Sequence, residues 1–243
     1  MIESQNTIDS TATEHHTSAE VAQTVSPTAA VNQDTSSQFS GPKVYGVDVS
    51  SYQPTVNWSQ MASMGKKFAF CKSSEGVTHL DNAFFRHRTG AKNSGLTFGA
   101  YHFFRPLLDP VQQADTFLRA AGNVMHGELP LTLDIEWSDG IEELGEKYAE
   151  RALAMLEKLE DATGLAPIIY TSAPFFTGFP HPERFAKYTN WLAAYSHLPV
   201  VPAPWTSWKF WQYSETLTVA GSDKIDGNVF NGDLAALLSL TKK

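Results

Sequence analysis

The chain has 243 residues and a formal net charge of −8, with 42% apolar and 12% aromatic residues. This apolar content is enough for a sizeable core. The negative charge argues against a nucleic-acid-binding protein, which normally carries a basic surface. The single cysteine, Cys71, excludes an internal disulfide and lies in an apolar run, so we expect a buried thiol. No apolar run reaches the roughly 20 residues needed to cross a bilayer.

Residues 1–41 are predicted to form a disordered polar tail. They are rich in Ser, Thr, Gln, Ala and acidic residues, and Phe39 is their only aromatic residue. Such a segment cannot bury enough apolar surface to offset the cost of ordering it. A docking or address segment is the functional alternative. Residues 1–40 contain no Lys or Arg and no apolar stretch typical of a secretory signal, so the sequence shows no ordinary secretory signal and leaves the export route open.

Residues 42–243 are predicted to form one α/β domain, a TIM-like and somewhat irregular β/α barrel. Short β-rich runs alternate with helical patterns, as in βα units around a parallel sheet. The predicted strands are Val44–Val49, Phe68–Ser73, Thr97–Phe103, Leu131–Ile135, Ile168–Thr171, Trp191–Ala194, Trp208–Tyr213 and Ile225–Val229. The predicted helices, each followed by a glycine, are Asn57–Met64, Asn82–Ser94, Pro110–Ala121 and Ile141–Thr163.

Carboxylates occur where several of these strands begin or end. Asp48 ends the first strand, Glu75 follows the second, Asp134 and Glu136 end the fourth, and Asp226 lies near the start of the last. Functional groups of a β/α barrel gather where its strands end. We therefore expect these acids, distant along the chain, to converge on one face.

Asp134 and Glu136 are the most informative pair, because residues two apart on a strand project from the same side. Neighbouring charge and partial burial raise the pKa of one carboxyl, which can then donate a proton near neutral pH. Glycosidic cleavage needs such an acid and a second group at the anomeric carbon. The D-x-E pattern alone is weak, and two solvated acids are the alternative. The apolar run that precedes the pair and the adjacent Trp137 favour catalysis.

A metal site would be another use of clustered acids. The eight histidines are scattered without the spacing of a metal motif, so the sequence predicts neither a metal nor a cofactor. His102 either lines the pocket or is a buried barrel histidine. Aromatic residues near strand ends are candidates for stacking against sugar rings, although several should be core. They are Tyr52, Tyr101, Phe104, Trp137, Tyr170, Trp191, Tyr195, Trp211 and Tyr213.

From Lys43 to Leu240 the sequence resembles the glycoside hydrolase family 25 lysozymes in the order and spacing of several blocks. The blocks are Gly46–Ser50 with Gln53 and Trp58, Phe68–Phe70 with Lys72, Glu75 and Gly76, Gly99–Phe103, Leu133–Glu136, Ile169–Thr171, Trp191–Ala193, Trp211–Tyr213 and Asp226–Asn228. One departure is the segment Lys72–Glu75, in which two serines replace the more usual alanine and threonine.

The resemblance implies hydrolysis of the β-1,4 bond between N-acetylmuramic acid and N-acetylglucosamine in peptidoglycan glycan strands. It implies that Glu136 is the proton donor, that Asp134 is a nucleophile or assists the substrate's N-acetyl group, and that Asp48 and Asp226 are the remaining acids. Substrate contacts are expected from Tyr101, Trp137, Tyr170, Trp191, Tyr195, Gln212 and Glu75. We expect a monomer that acts on the cell wall, in the periplasm or outside the cell.

Two alternatives differ in testable ways. A chitinase-like glycosidase also uses a D-x-E ending, but its further aspartates are replaced here by Thr132 and Leu129. A non-catalytic carbohydrate-binding barrel has no need of the four acids. A phage lysin, an interbacterial toxin and a wall-remodelling enzyme are all compatible with the sequence, and a toxin would imply a cognate immunity inhibitor.

Overall fold

The computed structural model describes residues 40–138, 141, 144–195 and 197–243. Residues 1–39 of the predicted tail lie outside these ranges. The described part contains nine strands in one sheet. They are β1 (Lys43–Val49), β2 (Phe68–Glu75), β3 (His79–Leu80), β4 (Thr97–Phe103), β5 (Thr132–Asp134), β6 (Ile168–Ser172), β7 (Thr189–Ala193), β8 (Phe210–Leu217) and β9 (Ile225–Asn231).

The sheet closes into an eight-stranded barrel. The strand order is β1-β9-β8-β7-β6-β5-β4-β2, and β2 pairs with β1 to complete the circle. The short β3 forms a hairpin with β2 and stands outside the barrel. The α/β class and the TIM-like barrel predicted from the sequence are therefore confirmed.

The last strand of the barrel, β9, runs against its neighbours, which makes this barrel irregular. β1, β2 and β4–β8 are parallel, whereas β9 is antiparallel to both β8 and β1. Only residues 218–224 connect β8 to β9, which is too short for a parallel crossover. Because of this reversal, the start of β9 lies where the other strands end, and Asp226 pairs with Asp48 in register.

Six helices flank the strands in the described part of the chain: α1 (Trp58–Ser63), α2 (Phe84–Asn93), α3 (Pro110–Ala121), α4 (Glu146–Thr163), α5 (Ala173–Phe176) and α6 (Leu234–Ser239), with a 3₁₀ turn at Pro182–Phe185. None of them is long and apolar enough to cross a membrane. The predicted start of α4 at Ile141 is wrong, because the helix begins after Gly145, whose φ is +48°. The short helices α5 and α6 were not predicted, since one turn carries little periodicity.

Apolar side chains form two layers. An outer layer joins the barrel to its helices and contains Cys71, which is fully buried as predicted. An inner layer fills the barrel, where Phe70 stacks on Trp191 with ring centroids 4.4 Å apart and meets Phe210 at 5.3 Å. A Cβ at Gly46 would lie 2.5 Å from the Phe68 ring, so glycine there makes room for this filling.

Candidate active site

A cavity of about 390 Å³ opens where the parallel strands end, beyond the packed rings of the barrel interior. Six carboxyl-bearing residues line it, together with two cations and several aromatic and polar side chains. The acids are Asp48, Glu75, Asp134, Glu136, Glu215 and Asp226. The structure thus brings together all five acids singled out in the sequence, and Asp226 joins them because β9 is reversed.

Asp48 is held by a network of amides at the β1–β9 pairing. Its Oδ2 accepts hydrogen bonds from Asn228 Nδ2 at 2.6 Å and from Gln212 Nε2 at 2.9 Å. Asp226 is its register partner across β1 and β9 and lines the same cavity. Burial raises the pKa of Asp48 to about 6, although these hydrogen bonds oppose the increase. Burial and the charge of Asp48 raise the pKa of Asp226 to about 8.

Asp134 and Glu136 both line the cavity, while Ile135 between them is fully buried in the outer layer. Burial raises the pKa of Asp134 well above its usual range, and the charge of Glu136 raises it further. Burial also raises the pKa of Glu136, against the opposing effect of two nearby cations. The Oδ1 atom of Asp134 is buried and has no hydrogen-bond partner among the described residues. Burial disfavours the charged form of each of these carboxyls, and a neighbouring negative charge disfavours it further.

Glu75 has different neighbours from the other acids. Lys72 Nζ contacts its Oε2 at 2.6 Å, and Arg105 contacts its Oε1 with Nη2 at 2.5 Å and with Nε at 2.9 Å. Burial alone would raise the pKa of Glu75, but the hydrogen bonds and charges of the two cations bring it below its usual value. Both cations also lie over the face of Phe103, at 5.1 and 4.6 Å from the ring centroid.

Most of the predicted substrate-contact residues line the same cavity. They are Tyr101, Tyr170, Trp191, Tyr195, Gln212 and Glu75, with Tyr52 from the wider aromatic set. The side chain of Gln212 is almost fully buried, and its Oε1 accepts hydrogen bonds from Tyr170 and Tyr195 at 2.8 and 2.9 Å. The Gln212 amide therefore donates a hydrogen bond to Asp48 through its nitrogen and accepts hydrogen bonds from two tyrosines through its oxygen.

Several predicted residues lie elsewhere. Trp137 is outside the cavity lining, 63% exposed, and its ring meets Phe175 edge-on at 5.1 Å. His102 is fully buried behind the cavity, where Nδ1 is hydrogen-bonded to Ser74 at 2.8 Å. Burial lowers the pKa of His102 to about 4, as fits the buried barrel histidine that was one of its two interpretations. Phe104, Trp211 and Tyr213 do not line the cavity either.

Five lining residues were not identified from the sequence as site residues, namely Ser50, Lys72, Phe103, Arg105 and Glu215. Strand alternation offered a signal for two of them. Once Tyr101 is taken to point inward, Phe103 and then Arg105 follow on the same side. Among the described residues, no group of three or more His, Cys, Asp or Glu side chains is arranged to hold a metal ion.

Comparison with known proteins identifies the family. The model of glycosyl hydrolases family 25 matches residues 47–222. This chain is a member of glycosyl hydrolase family 25. The sequence is 36% identical to lysozyme M1 of Streptomyces globisporus over 209 residues, which is 81% of this chain and 71% of that one.

Solved structures of family members share the barrel. A bacterial lysozyme from Streptomyces coelicolor superposes with a TM-score of 0.77 at 34% identity, covering 84% of this chain and 98% of that one. A family 25 lysozyme from Aspergillus fumigatus superposes with a TM-score of 0.74 at 31% identity, covering 83% of this chain and all of that one. The resemblance predicted from the sequence is confirmed, and with it an enzyme of the glycosidase class.

Proposed function

We propose that this family 25 enzyme is a muramidase, which hydrolyses the β-1,4 bond between N-acetylmuramic acid and N-acetylglucosamine in peptidoglycan. The observation that carries the proposal is the convergence of Asp134, Glu136, Asp48 and Asp226 in one cavity beside aromatic side chains. Relatives named lysozyme and N,O-diacetylmuramidase support it. The family match does not favour the chitinase-like and non-catalytic alternatives.

In this proposal Glu136 supplies the proton. Burial favours its neutral form, and the negative charge of Asp48 raises its pKa further. Transfer of that proton to the glycosidic oxygen lets the leaving sugar depart as an alcohol. Asp134 acts at the anomeric carbon, as nucleophile or by orienting the substrate's 2-acetamido group. Water then completes hydrolysis, and its proton returns to Glu136.

The aromatic residues bind the sugars. Tyr101 and Tyr195, which line the cavity and are not fully buried, offer ring surfaces and hydroxyl groups to pyranose rings. Tyr170 and Trp191 line the cavity from buried positions and support its wall. Trp137, exposed beside Glu136, is proposed to stack against a sugar beyond the cavity. Replacing Trp137 by alanine should therefore raise KM on polymeric glycan more than on short fragments. An equal effect on both substrates would contradict this role.

The biological setting follows from the substrate. Peptidoglycan is the partner, and the cell wall is the place of action. We propose that residues 42–243 are the catalytic domain and residues 1–41 an accessory tail, and that the enzyme works as a monomer.

The enzyme would serve as a phage lysin or a secreted antibacterial effector, and an effector would require an immunity inhibitor in the producing cell. Protection of the producing strain by a neighbouring gene would identify the effector.

Mass spectrometry of products from purified peptidoglycan tests the proposed reaction. We expect new reducing ends on N-acetylmuramic acid, and no such products from a Glu136→Gln variant. New reducing ends on N-acetylglucosamine would indicate a glucosaminidase instead. Cleaved peptide stems with intact glycan strands would exclude a glycosidase.

A further inference from the structure

A short hydrogen-bond chain connects a buried indole to the Asp48 carboxylate. Trp191 Nε1 donates to Asn228 Oδ1 at 2.8 Å, and Asn228 Nδ2 donates to Asp48 Oδ2 at 2.6 Å. All three side chains are almost completely buried. Gln212 Nε2 donates to the same oxygen of Asp48 at 2.9 Å.

The chemistry of the indole fixes the direction of this chain. An indole N–H can only donate a hydrogen bond, so the atom of Asn228 that faces Trp191 must be its oxygen. The Asn228 NH₂ group must then face Asp48. The Asp48 Oδ2 atom therefore accepts two N–H donors, which favour the ionised form of this carboxyl. Of the two carboxyls paired across β1 and β9, Asp48 is thus the one arranged to be ionised.

We propose that Trp191, acting through Asn228, assigns the single proton of the Asp48–Asp226 pair to Asp226 and the negative charge to Asp48. Trp191 and Asn228 are thus positioning residues for the acids of the site. The inference rests on the proposed function only in calling the site catalytic, because the protonation of the pair can be measured without substrate.

The surroundings support this assignment. The pKa of Asp48, about 6, lies below the pKa of Asp226, about 8, because the amide hydrogen bonds partly offset burial at Asp48 alone. Other titratable groups face the pair from the neighbouring strands. They are Glu215 on β8, Tyr101 on β4, Tyr170 and Tyr195 at β6 and β7, Asp134 and Glu136 at β5, and Lys72 and Glu75 on β2. Glu215 adds negative charge near Asp226 and so helps it keep the proton.

The position of the negative charge within the Asp48–Asp226 pair affects Glu136, the proposed proton donor. The negative charge of Asp48 raises the pKa of Glu136. A proton that moved from Asp226 to Asp48 would remove this support. Trp191 therefore helps Glu136 to remain protonated, although it does not touch it.

The test is a titration of the aspartate carboxyl carbons by ¹³C NMR, with assignments from Asp48→Asn and Asp226→Asn proteins. In the unmodified protein we expect Asp48 to lose its proton at a lower pH than Asp226. Trp191→Phe keeps a ring against Phe70 but removes the N–H donor. We expect this change to move the Asp48 midpoint upward by about one pH unit, a tenfold change in its ionisation constant.

Trp208→Phe is the matched control. Trp208 is also fully buried, but its Nε1 has no hydrogen-bond partner among the described residues. Loss of that N–H should leave both aspartate titrations unchanged. In an Asn228→Ala background, Trp191→Phe should have no further effect on Asp48, because the indole acts through Asn228.

Three results would overturn the inference. The first is that Asp226 loses its proton at a lower pH than Asp48 in the unmodified protein. The second is that Trp191→Phe and Trp208→Phe have equal effects on the Asp48 titration. The third is that the effect of Trp191→Phe persists in the Asn228→Ala background. Failure to cleave peptidoglycan would contradict the proposed function and leave the titration result intact.

Discussion

Glu75 forms ion pairs with two cations, whereas burial is the largest influence on the pKa values of Asp134 and Glu136. Its pKa is lowered, so it is ionised at neutral pH and cannot serve as an alternative proton donor. Its effect on the reaction is indirect. Lys72 and Arg105 lower the pKa of Glu136, and the negative charge of Glu75 neutralises part of theirs.

Activity should fall as rising pH removes the proton of Glu136, and we call this decline the alkaline limb. Glu75→Gln and Lys72→Met should therefore move the alkaline limb in opposite directions. Loss of the Glu75 charge leaves the cations unbalanced, lowers the pKa of Glu136 and shifts the limb to lower pH. Loss of the Lys72 charge raises that pKa and shifts the limb to higher pH. The measurement is kcat/KM against pH. If the alkaline limb keeps its position in both variants, the loss of activity at high pH reflects ionisation of Asp226 instead, whose raised pKa comes from burial and neighbouring acids.

Glu136→Gln should lower kcat by at least about 100-fold, the usual contribution of a general acid. Glutamine keeps the shape of the side chain but has no transferable proton. Thermal unfolding and binding to wall polymer should change little. Glu157→Gln, at an exposed position on α4, is the control. Near-normal turnover by the Glu136→Gln protein would transfer the acid role to another carboxyl.

Strand alternation accounts for much of what the sequence predicted about the site. It correctly placed Asp134 and Glu136 on one side, and it would have added Phe103 and Arg105 if carried four residues past Tyr101. Alternation cannot reveal strand direction, which depends on the length of the connection between β8 and β9. Nor does it reveal partners such as Lys72 for Glu75, because rotamers and side-chain contacts are set by the folded surroundings.

The filling of the barrel gives a prediction at the level of the strands. Gly46→Ala would place a methyl group 2.5 Å from the Phe68 ring, which is fully buried and cannot move away. We expect a loss of about 1–3 kcal/mol in the free energy of unfolding, measured with urea. Gly178→Ala is the control, because a Cβ there meets nothing within 4 Å. Equal stability of the two variants would mean that the inner layer is loosely packed.

The buried acids make the stability of the whole molecule depend on pH. The folded-state pKa values of Asp48 and Asp226 are about 6 and about 8, whereas both are 3.8 in the absence of the fold. Between about pH 4 and pH 8 these two carboxyls bind more protons in the folded protein than in the unfolded chain, so their contribution to stability falls as pH rises through this window. The lowered pKa of His102 opposes this trend below about pH 6.5, which leaves Asp226 to dominate between pH 6.5 and pH 8. Each proton held contributes up to about 1.4 kcal/mol per pH unit.

We therefore expect the Tm to be several degrees higher at pH 5 than at pH 8. Asp226→Asn should flatten this dependence, because asparagine has no proton to lose. Differential scanning calorimetry at constant ionic strength provides the measurement. A Tm that rises with pH over the same interval would show that these carboxyls are ionised throughout.

The predicted N-terminal tail also bears on the stability of the whole molecule. Because residues 1–41 lack the side chains of a core, their deletion should leave both folding and turnover on soluble wall fragments intact. A drop of more than a few degrees in Tm after deletion would show that the tail contributes to the stability of the barrel.

The reversed strand β9 also affects how the enzyme is made. Asn228 and Asp48 touch although 180 positions separate them in the chain. A ribosome must release nearly the whole barrel before these side chains can meet, and domains of this kind fold as units. A nascent chain that carries Asp134 and Glu136 but has not yet received β9 holds an incomplete set of acids. Under the proposed function, unfinished chains and fragments without β9 are harmless to the wall of the cell that synthesises them.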